Sequence, residues 1–353
     1  MSAETASSAG TVIASKFIHL TLNPDGTVDR SRMVIPVASA SAAPDPTSPA
    51  SPVLSKDVPI NPSHNTWARI FLPQRVPSCS EEKLPLVVYY HGGGFILFSA
   101  ASKEIHEFCV TLARELPAVV VSVEYRLAPE HRLPSAYDDA VEALHWIKTL
   151  QDEWLADHTD LSTCYLMGSS SGGNMAFHAG LRASMSHGDL EPLKIRGLIL
   201  HHAYFGGTQR TPSELRLEND ETVPLVVSDA MWELSLPLGA TRDHVYSNPM
   251  ADGGIELFEE LEKMRSLGCR VLITGCDGDP LIDREVELAK MLQEKGVSVV
   301  TDFAEGGQHG IELREPDWCK LLVQTMKTFM ATKTATGHGG VGLPDKISTQ
   351  IVA

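Results

Sequence analysis

The sequence lacks the features that would place the chain in a membrane, on a secretory route or on a nucleic acid. No apolar run in its 353 residues approaches the roughly 18–20 residues that span a bilayer. The opening MSAETASSAG has neither the basic start nor the apolar stretch of a secretory signal, and the final QIVA is no retention or peroxisomal address. Lys and Arg number 29 against 45 Asp and Glu, and the net charge of −16 disfavours nucleic acid and anionic membranes as partners. We therefore expect a soluble cytoplasmic protein.

Cysteine chemistry is also poorly supported. The six cysteines are scattered, with no CxxC pair and no metal-ligand spacing: Cys79, Cys109, Cys164, Cys269, Cys276 and Cys319. In a chain without a secretion signal we expect buried thiols rather than disulfides, and no metal site.

Short apolar runs alternate with helical patterns along most of the chain. The continuous apolar character of the runs predicts strands covered on both faces, at 86–90, 118–123, 164–167, 195–200, 270–273 and 297–303. Helical periodicity predicts helices at 137–149, 172–183, 283–294 and 318–330. This alternation predicts an α/β fold with a doubly wound, mainly parallel sheet, in which ligands bind beyond the carboxyl ends of the strands.

We predict that residues 1–353 form a single domain. Within 1–60 the sequence predicts a hairpin whose turn is NPDG at 23–26, followed by a mobile loop at 38–52 that is rich in Pro, Ser and Ala. The block 203–250 breaks the strand–helix alternation, and we predict either a cap over the site or a plain packing insertion. The Gly-rich tail 333–353 is expected to be flexible.

The strand ending at residue 167 runs directly into GSSSGGN and a helical stretch. This is a G-x-S-x-G motif in the strand–turn–helix context that exposes a nucleophilic serine. The tight turn forces the serine into a strained backbone conformation, and flanking glycines avoid clashes. The glycine spacing selects Ser170 over its neighbours Ser169 and Ser171 as the nucleophile.

A histidine must take the serine proton, because an isolated hydroxyl is a poor nucleophile at neutral pH. His309 lies in EGGQHG, a glycine-rich loop after the last predicted strand. Other histidines fit less well, since His201 and His202 leave no room in chain order for an acid and His178 falls inside a helix. We predict that His309 is the base.

Three aspartates in CDGDPLID compete to hold that histidine. Asp283 falls in the first turn of a helix, where the helix dipole alone favours a carboxylate, and Asp277 can face solvent. Asp279 precedes Pro280, which can start the helix at its first position and keeps Asp279 extended. We predict Asp279, which would fix the His309 tautomer without taking the proton.

A glycine-rich loop follows the strand at 86–90. Its sequence HGGGF lets bare backbone N–H groups approach a substrate oxygen, which is the oxyanion-hole logic of lipases and esterases. We predict the N–H groups of Gly93, Gly94 and Ser171 as the donors. A phosphate-binding loop is disfavoured, because neither GK[ST] nor G-x-G-x-x-G spacing is present.

Four motifs in this order, HGGGF, YRLAPEHR, GSSSGGN and DPLID…GGQHG, resemble the plant carboxylesterases of the hormone-sensitive-lipase-like group. The resemblance covers about residues 23–330 and implies the α/β-hydrolase fold, a cap built partly from the N-terminal segment, and hydrolysis of short-acyl or specialised-metabolite esters without a cofactor. It also implies that 125–132 has a scaffolding role beside the site. One departure is Ser169, since microbial relatives usually carry Asp or Glu just before the nucleophile.

Two alternative functions are available within the same group. A dehydratase, lyase or cyclase would reuse the pocket without an acyl-enzyme, and a hormone receptor would bind without turnover. Gibberellin receptors resemble the group but have lost the catalytic histidine, whereas His309 is present here, and an intact Ser170 argues similarly against the dehydratases that carry Thr. We predict a serine carboxylesterase acting on a small-molecule ester, as a monomer or homodimer. Plausible pocket walls, for which core packing is an equal alternative, are Phe95, Phe205, Trp232 and Leu236.

Overall fold

The apolar segments of the chain form a central sheet, and the amphipathic segments form helices that cover it. The computed structural model describes residues 11–14, 19–23, 25–42, 53–74 and 82–332. Within these ranges the strands are β1 (Thr11–Ala14), β2 (His19–Leu22), β3 (Val28–Asp29), β4 (Val53–Asn61), β5 (Thr66–Pro73), β6 (Leu84–Tyr90), β7 (Val119–Glu124), β8 (Thr159–Ser169), β9 (Ile195–His201), β10 (Arg270–Cys276) and β11 (Ser298–Ala304). The helices are α1 (Lys103–Glu115), α2 (Ser135–Lys148), α3 (Glu153–His158), α4 (Ser171–Met185), α5 (His187–Leu190), α6 (Pro212–Arg216), α7 (Leu225–Ser235), α8 (Phe258–Ser266), α9 (Ile282–Glu294) and α10 (Pro316–Ala331), with a 3-10 turn at Ile311–Leu313.

The central sheet has eight strands in the order β11-β10-β9-β8-β6-β7-β5-β4. Neighbouring strands between β11 and β7 pair in parallel, whereas β5 pairs antiparallel with both β7 and β4. The six predicted strands, the four predicted helices and the mainly parallel sheet are confirmed. The β4–β5 hairpin is absent from the sequence prediction. Because β4 is an edge strand with alternating exposure, it lacks the continuous apolar run of the inner strands.

The strand order places two of the motif loops side by side. After β6 the chain adds β7 on one side and then β8 on the other, and Tyr90 at the end of β6 pairs with Gly168 at the end of β8. The HGGGF loop and the serine turn therefore begin at adjacent strand ends. Such a switch point in strand order is where an open α/β sheet forms a crevice for ligands.

Helices bury both faces of this sheet. Phe108 and Leu112 of α1 pack with Met326 of α10 on one face, and Ala140 of α2 and Phe177 of α4 belong to the larger cluster on the other. Full burial of a large apolar side chain contributes about 1.5–3 kcal/mol. A platform covered on both sides holds the strand ends, and hence the site loops, in fixed relative positions.

The N-terminal segment includes the predicted hairpin, with β2 paired antiparallel to β3 and the turn closed by the Asn23 N–H donating to the Thr27 carbonyl. At the start of the predicted mobile loop, the Ala38 N–H donates to the Ala101 carbonyl and the Ser55 N–H to the Ser41 carbonyl. Residues 43–52 of that loop, the tail 333–353 and Cys79 lie outside the described residues. The other five cysteines are buried free thiols, as predicted. Among the described helices, none is long and apolar enough to cross a membrane.

The block 203–250 contains α6 and α7 joined by loops, and α7 lies against β1 of the N-terminal segment. Arg30 ties that segment to the body. Its guanidinium donates to the carbonyls of Ile96 at 2.9 Å and Ala128 at 2.6 Å and to both carboxylate oxygens of Glu130. The N-terminal segment is thereby attached to the loop that follows HGGGF.

Candidate active site

Ser170 occupies a strained turn between β8 and α4. Its φ of 57° is in the left-handed region, which non-glycine residues rarely adopt. The flanking glycines are obligatory: a Cβ on Gly168 would lie 2.0 Å from the Gly172 carbonyl oxygen, and one on Gly172 would lie 1.9 Å from the Tyr90 carbonyl oxygen. The sequence-based expectation of a strained serine between two close-packed glycines is met. Ser169 and Ser171 are buried, at 5% and 0% exposure, while Ser170 is partly exposed.

The structure brings the three predicted residues Ser170, His309 and Asp279 together in one hydrogen-bonded line. His309 Nε2 lies 3.0 Å from Ser170 Oγ, and His309 Nδ1 lies 2.7 Å from Asp279 Oδ2. Asp279 is fully buried and His309 is 6% exposed. With its proton on Nδ1, His309 donates to the carboxylate and presents Nε2 as an acceptor to the serine hydroxyl.

The two rival aspartates have other partners. Asp277 is exposed and accepts from the Gly306 N–H at 2.7 Å, and Asp283 accepts from the Ser213 N–H at 2.7 Å. One detail of the prediction is wrong, because α9 begins at Ile282 and Pro280 precedes its N-cap instead of opening the helix. Asp279 is held by a hydrogen bond from the Leu281 N–H to Oδ1 at 2.9 Å, which fixes its carboxylate in the turn.

The electrostatic interaction between Asp279 and His309 favours an ionised Asp279 and a more basic His309. Burial by itself raises the pKa of Asp279, but His309 and His202 outweigh burial and hold it far below its usual range. Burial alone lowers the pKa of His309, yet the Asp279 carboxylate outweighs it, so the pKa of His309 is raised above the ordinary histidine value. Asp279 is therefore ionised at neutral pH, and His309 is a stronger base than a free imidazole.

Sequence reasoning missed His202. It follows β9 directly, and its Nδ1 lies 2.5 Å from Asp279 Oδ2, the oxygen that also contacts His309. The order of residues along the chain argued against His202 as the base. The order of strands in the sheet, in contrast, indicates that His202 lies near the acid. Since β9 lies between β8 and β10, a residue at its carboxyl end falls between the serine turn and the acid loop.

His201 belongs to a second buried pair behind His202. Its Nδ1 lies 2.7 Å from Thr274 Oγ1 and its Nε2 lies 3.2 Å from Glu312 Oε2. Burial raises the pKa of Glu312, but the nearby His201 outweighs it and lowers that pKa to about 2. Two histidine–carboxylate pairs thus lie next to each other at the carboxyl ends of β9 and β10.

The predicted oxyanion loop approaches the serine turn closely. A Cβ on Gly92 would lie 3.1 Å from Ser170 Cβ, and Gly93 and Gly94 have φ of 113° and 61°, which favour glycine. Ser171 is the first residue of α4, so its N–H belongs to the positive end of the helix. The HGGGF loop and the first residue of α4 therefore both lie beside Ser170.

Residues 125–132 brace that loop, in agreement with the scaffolding role that the resemblance implies. Tyr125 Oη donates to the His91 carbonyl at 2.8 Å, and the two rings stack with centroids 4.3 Å apart. Arg126 forms an ion pair with the fully buried carboxylate of Asp139 on α2 at 2.6 Å.

All four predicted pocket walls are buried in the larger core cluster: Phe95, Phe205, Trp232 and Leu236. Phe95 and Trp232 pack together, with ring centroids 5.8 Å apart, whereas Phe205 packs edge-on against Phe177 of α4 in the core. Leu236 is 2% exposed and its carbonyl accepts from Arg132 at 2.8 Å.

The sequence did not single out Met231 of α7. A Cβ on Gly94 would lie 2.2 Å from its sulfur, so this side chain fills the space next to the loop.

Metal-type donor groups are present in and near the site. The donor atoms of His202, Asp279 and His309 lie within 4.8 Å of one another, as do those of His201, His202 and Glu312. In the first group Asp279 Oδ2 is bound by two imidazoles and His309 Nε2 by Ser170 Oγ. These contacts suit proton transfer to and from Ser170.

The α/β-hydrolase family profile matches residues 87–313 of the chain. Carboxylesterase 20 of Arabidopsis thaliana is 50% identical over 317 residues, covering 89% of this chain and 95% of that protein. The 3-O-acetylpapaveroxine carboxylesterase CXE2 of Papaver somniferum is 48% identical over 294 residues, covering 80% of this chain and 92% of the relative. Among solved structures, a hyperthermophilic esterase of Pyrobaculum calidifontis is 28% identical with a TM-score of 0.62, over 79% of this chain and 84% of that one. A thermostable esterase of Pseudomonas putida, 20% identical with a TM-score of 0.67 over 83% and 88%, shares the fold.

Proposed function

Since the chain belongs to the plant carboxylesterases of the α/β-hydrolase fold and is a carboxylic ester hydrolase, we propose that Ser170, His309 and Asp279 carry out the hydrolysis. The single observation that carries this proposal is the hydrogen-bonded line from Asp279 Oδ2 through His309 to Ser170 Oγ, at 2.7 and 3.0 Å. These distances let the proton leave the hydroxyl as a carbon–oxygen bond forms.

The proposed mechanism has two half-reactions. His309 Nε2 takes the hydroxyl proton while Ser170 Oγ bonds to the ester carbonyl carbon, and the negative carbonyl oxygen is held by the N–H groups of Gly93, Gly94 and Ser171. His309 then gives the proton to the leaving alcohol as its bond to the carbonyl carbon breaks. Water repeats the sequence on the acyl-enzyme, which releases the carboxylic acid and restores Ser170.

We propose short-acyl esters of specialised metabolites as substrates. The poppy relative is named for a 3-O-acetyl substrate, which supports acetyl esters for this chain too. The geometry beside the oxyanion loop favours a small acyl group, because Met231 lies against Gly94 and the ring of Phe95 packs on Trp232 behind it. A cap formed by 203–250 and the N-terminal segment, which contact each other through α7 and β1, would cover this side of the site.

We also propose where the enzyme works and what it binds, on the basis of its cysteines and its net charge. Five free thiols suit a reducing compartment and hence the cytoplasm. The net charge of −16 favours neutral or cationic small molecules over nucleic acid or anionic membranes. We propose that the enzyme works there as a monomer or homodimer.

The test compares Ser170→Ala with Ser169→Ala in hydrolysis of p-nitrophenyl acetate. We expect Ser170→Ala to lower kcat by at least about 10³-fold, because the nucleophile is removed. Ser169→Ala removes a hydroxyl from the adjacent position and is expected to retain turnover. Circular dichroism on both variants checks the fold. Near-wild-type turnover in folded Ser170→Ala would refute the proposed mechanism.

A further inference from the structure

We propose that His202 is a positioning residue for hydrolysis, one that holds the Asp279 carboxylate in place and moderates the basicity of His309. The inference rests on the proposed function, because it assigns Asp279 and His309 their roles in the reaction. Within the part of the chain that the structure describes, His202 makes no side-chain hydrogen bond to Ser170. Its hydrogen bond is to Asp279, and its ring also lies edge-on to the His309 ring, with centroids 5.4 Å apart.

The backbone fixes His202 independently of the acid loop. Its N–H donates to the Thr274 carbonyl at 2.8 Å on the neighbouring strand, and its φ of 46° turns the chain sharply at the end of β9. The ring is 2% exposed and lies edge-on to His201, with centroids 4.2 Å apart. A strained residue that is buried and hydrogen-bonded on both its main chain and its ring has little freedom to move.

Three described donors hold the carboxylate of Asp279. Oδ1 accepts from the Leu281 N–H at 2.9 Å, while Oδ2 accepts from His202 Nδ1 at 2.5 Å and from His309 Nδ1 at 2.7 Å. Because Oδ2 shares its charge between two N–H groups, it attracts the His309 proton less than it would alone. The second donor also fixes Oδ2 along the line to His309 Nδ1. Loss of His202 would free the carboxylate to turn and make it more basic.

Other titratable groups surround the His202–Asp279 pair. Besides His309, they are His201 at the end of β9, Cys276 at the end of β10, Glu285 on α9 and Glu312 on the C-terminal loop, and the His201 ring is hydrogen-bonded to Thr274. Asp220 acts on His309 electrostatically. Substitution of His202 leaves these side chains in place but also removes its electrostatic effect on His201 and Glu312. The comparison with His202→Asn, which keeps a donor, therefore isolates the hydrogen bond.

The experiment compares three variants by steady-state hydrolysis of p-nitrophenyl acetate between pH 5 and 9. His202→Ala and His202→Leu remove the donor, one leaving a space and the other filling it. His202→Asn keeps an amide N–H near the position of Nδ1, and asparagine tolerates a positive φ. Thermal melting of each variant reports stability separately from turnover.

We expect the donor-free variants to lower kcat about 10- to 100-fold with KM little changed, since a hydrogen bond to a charged group is lost. Their acid limb of kcat/KM should move to higher pH, because a more basic Asp279 stabilises protonated His309 more strongly. His202→Asn should restore both quantities toward wild type. A purely structural role would lower the melting temperature of the folded variants without moving the acid limb.

An unchanged acid limb in every folded donor-free variant, or equal losses in His202→Asn and His202→Ala, would overturn the inference. Ser170→Ala, assayed in parallel, separates this failure from failure of the proposed function. If Ser170→Ala is inactive while the His202 variants match wild type, the positioning role alone is wrong. If Ser170→Ala is active, the proposed mechanism is wrong, and so is the role of His202, which depends on that mechanism.

Discussion

The acid–base loops and the wall beside the oxyanion loop are built by different physical means. In the loops, Asp279, His309 and Ser170 each follow a strand or precede a helix and meet through hydrogen bonds of defined length. In the wall, Met231 and Trp232 come from α7, far along the chain, and meet Phe95 through apolar packing. Polar loop residues depend on local turn chemistry, whereas packing partners depend on how remote elements dock. We therefore expect changes in the loops to act on kcat and changes in the wall to act through the shape of the site.

Asp279→Asn tests the loop side with the largest expected effect. The amide would favour the wrong His309 tautomer and remove the charge that stabilises its imidazolium, so we expect kcat to fall about 10⁴-fold. Asp277→Asn, two residues away on the exposed side of the same turn, is the matched control and should retain activity. Comparable losses in the two variants would mean that the loop as a whole matters, and not the Asp279 carboxylate.

Gly94→Ala tests the contact between the oxyanion loop and the wall, and its expected effect on kcat is intermediate. The new Cβ meets the Met231 sulfur and disfavours a φ of 61°, so the Gly94 N–H turns away and kcat falls about 100-fold. Adding Met231→Ala removes the clash and should recover part of the loss.

Gly26→Ala is the control for backbone strain in the Gly94 experiment, because it has φ of 85° with nothing within 4 Å. It should lose some stability and keep its kcat. No recovery in the Gly94→Ala, Met231→Ala double variant would show that strain alone, and not α7, limits the loop.

The smallest expected effect is the change of kcat/KM with pH in the wild-type enzyme. Neutral His309 is needed to take the serine proton, and its pKa is raised above the ordinary histidine value by Asp279. We expect kcat/KM to fall as pH decreases through that raised pKa. Burial lowers the pKa of His91 to about 4 and of His178 to about 3, so neither can produce this limb. A limb at or below the ordinary histidine value would contradict the assigned pairing.

Sequence reasoning reached those parts of the site that local chemistry dictates. The glycine spacing around Ser170 and the glycine-rich loop at His309 each require a particular backbone, so their roles could be predicted before the fold was known. His202 could not be found from chain order, since its contact with Asp279 follows from β9 lying between β8 and β10.

Other features that the sequence did not predict also depend on how remote elements pack together. Met231 contacts Gly94 only because α7 docks on the oxyanion loop, and no period in the sequence encodes that position. The edge strand β4 was not predicted, because its alternating exposure gives a weaker apolar signal than that of a buried strand.

The most direct test of the central claim is to label the protein with a fluorophosphonate and determine its intact mass and the modified peptide. The account predicts one adduct per chain, located on Ser170, absent from Ser170→Ala and formed much more slowly in His309→Ala, because His309 activates the hydroxyl. Labelling of folded Ser170→Ala to the same extent as the wild-type protein, or an adduct on another residue, would contradict the assignment of Ser170 as the nucleophile.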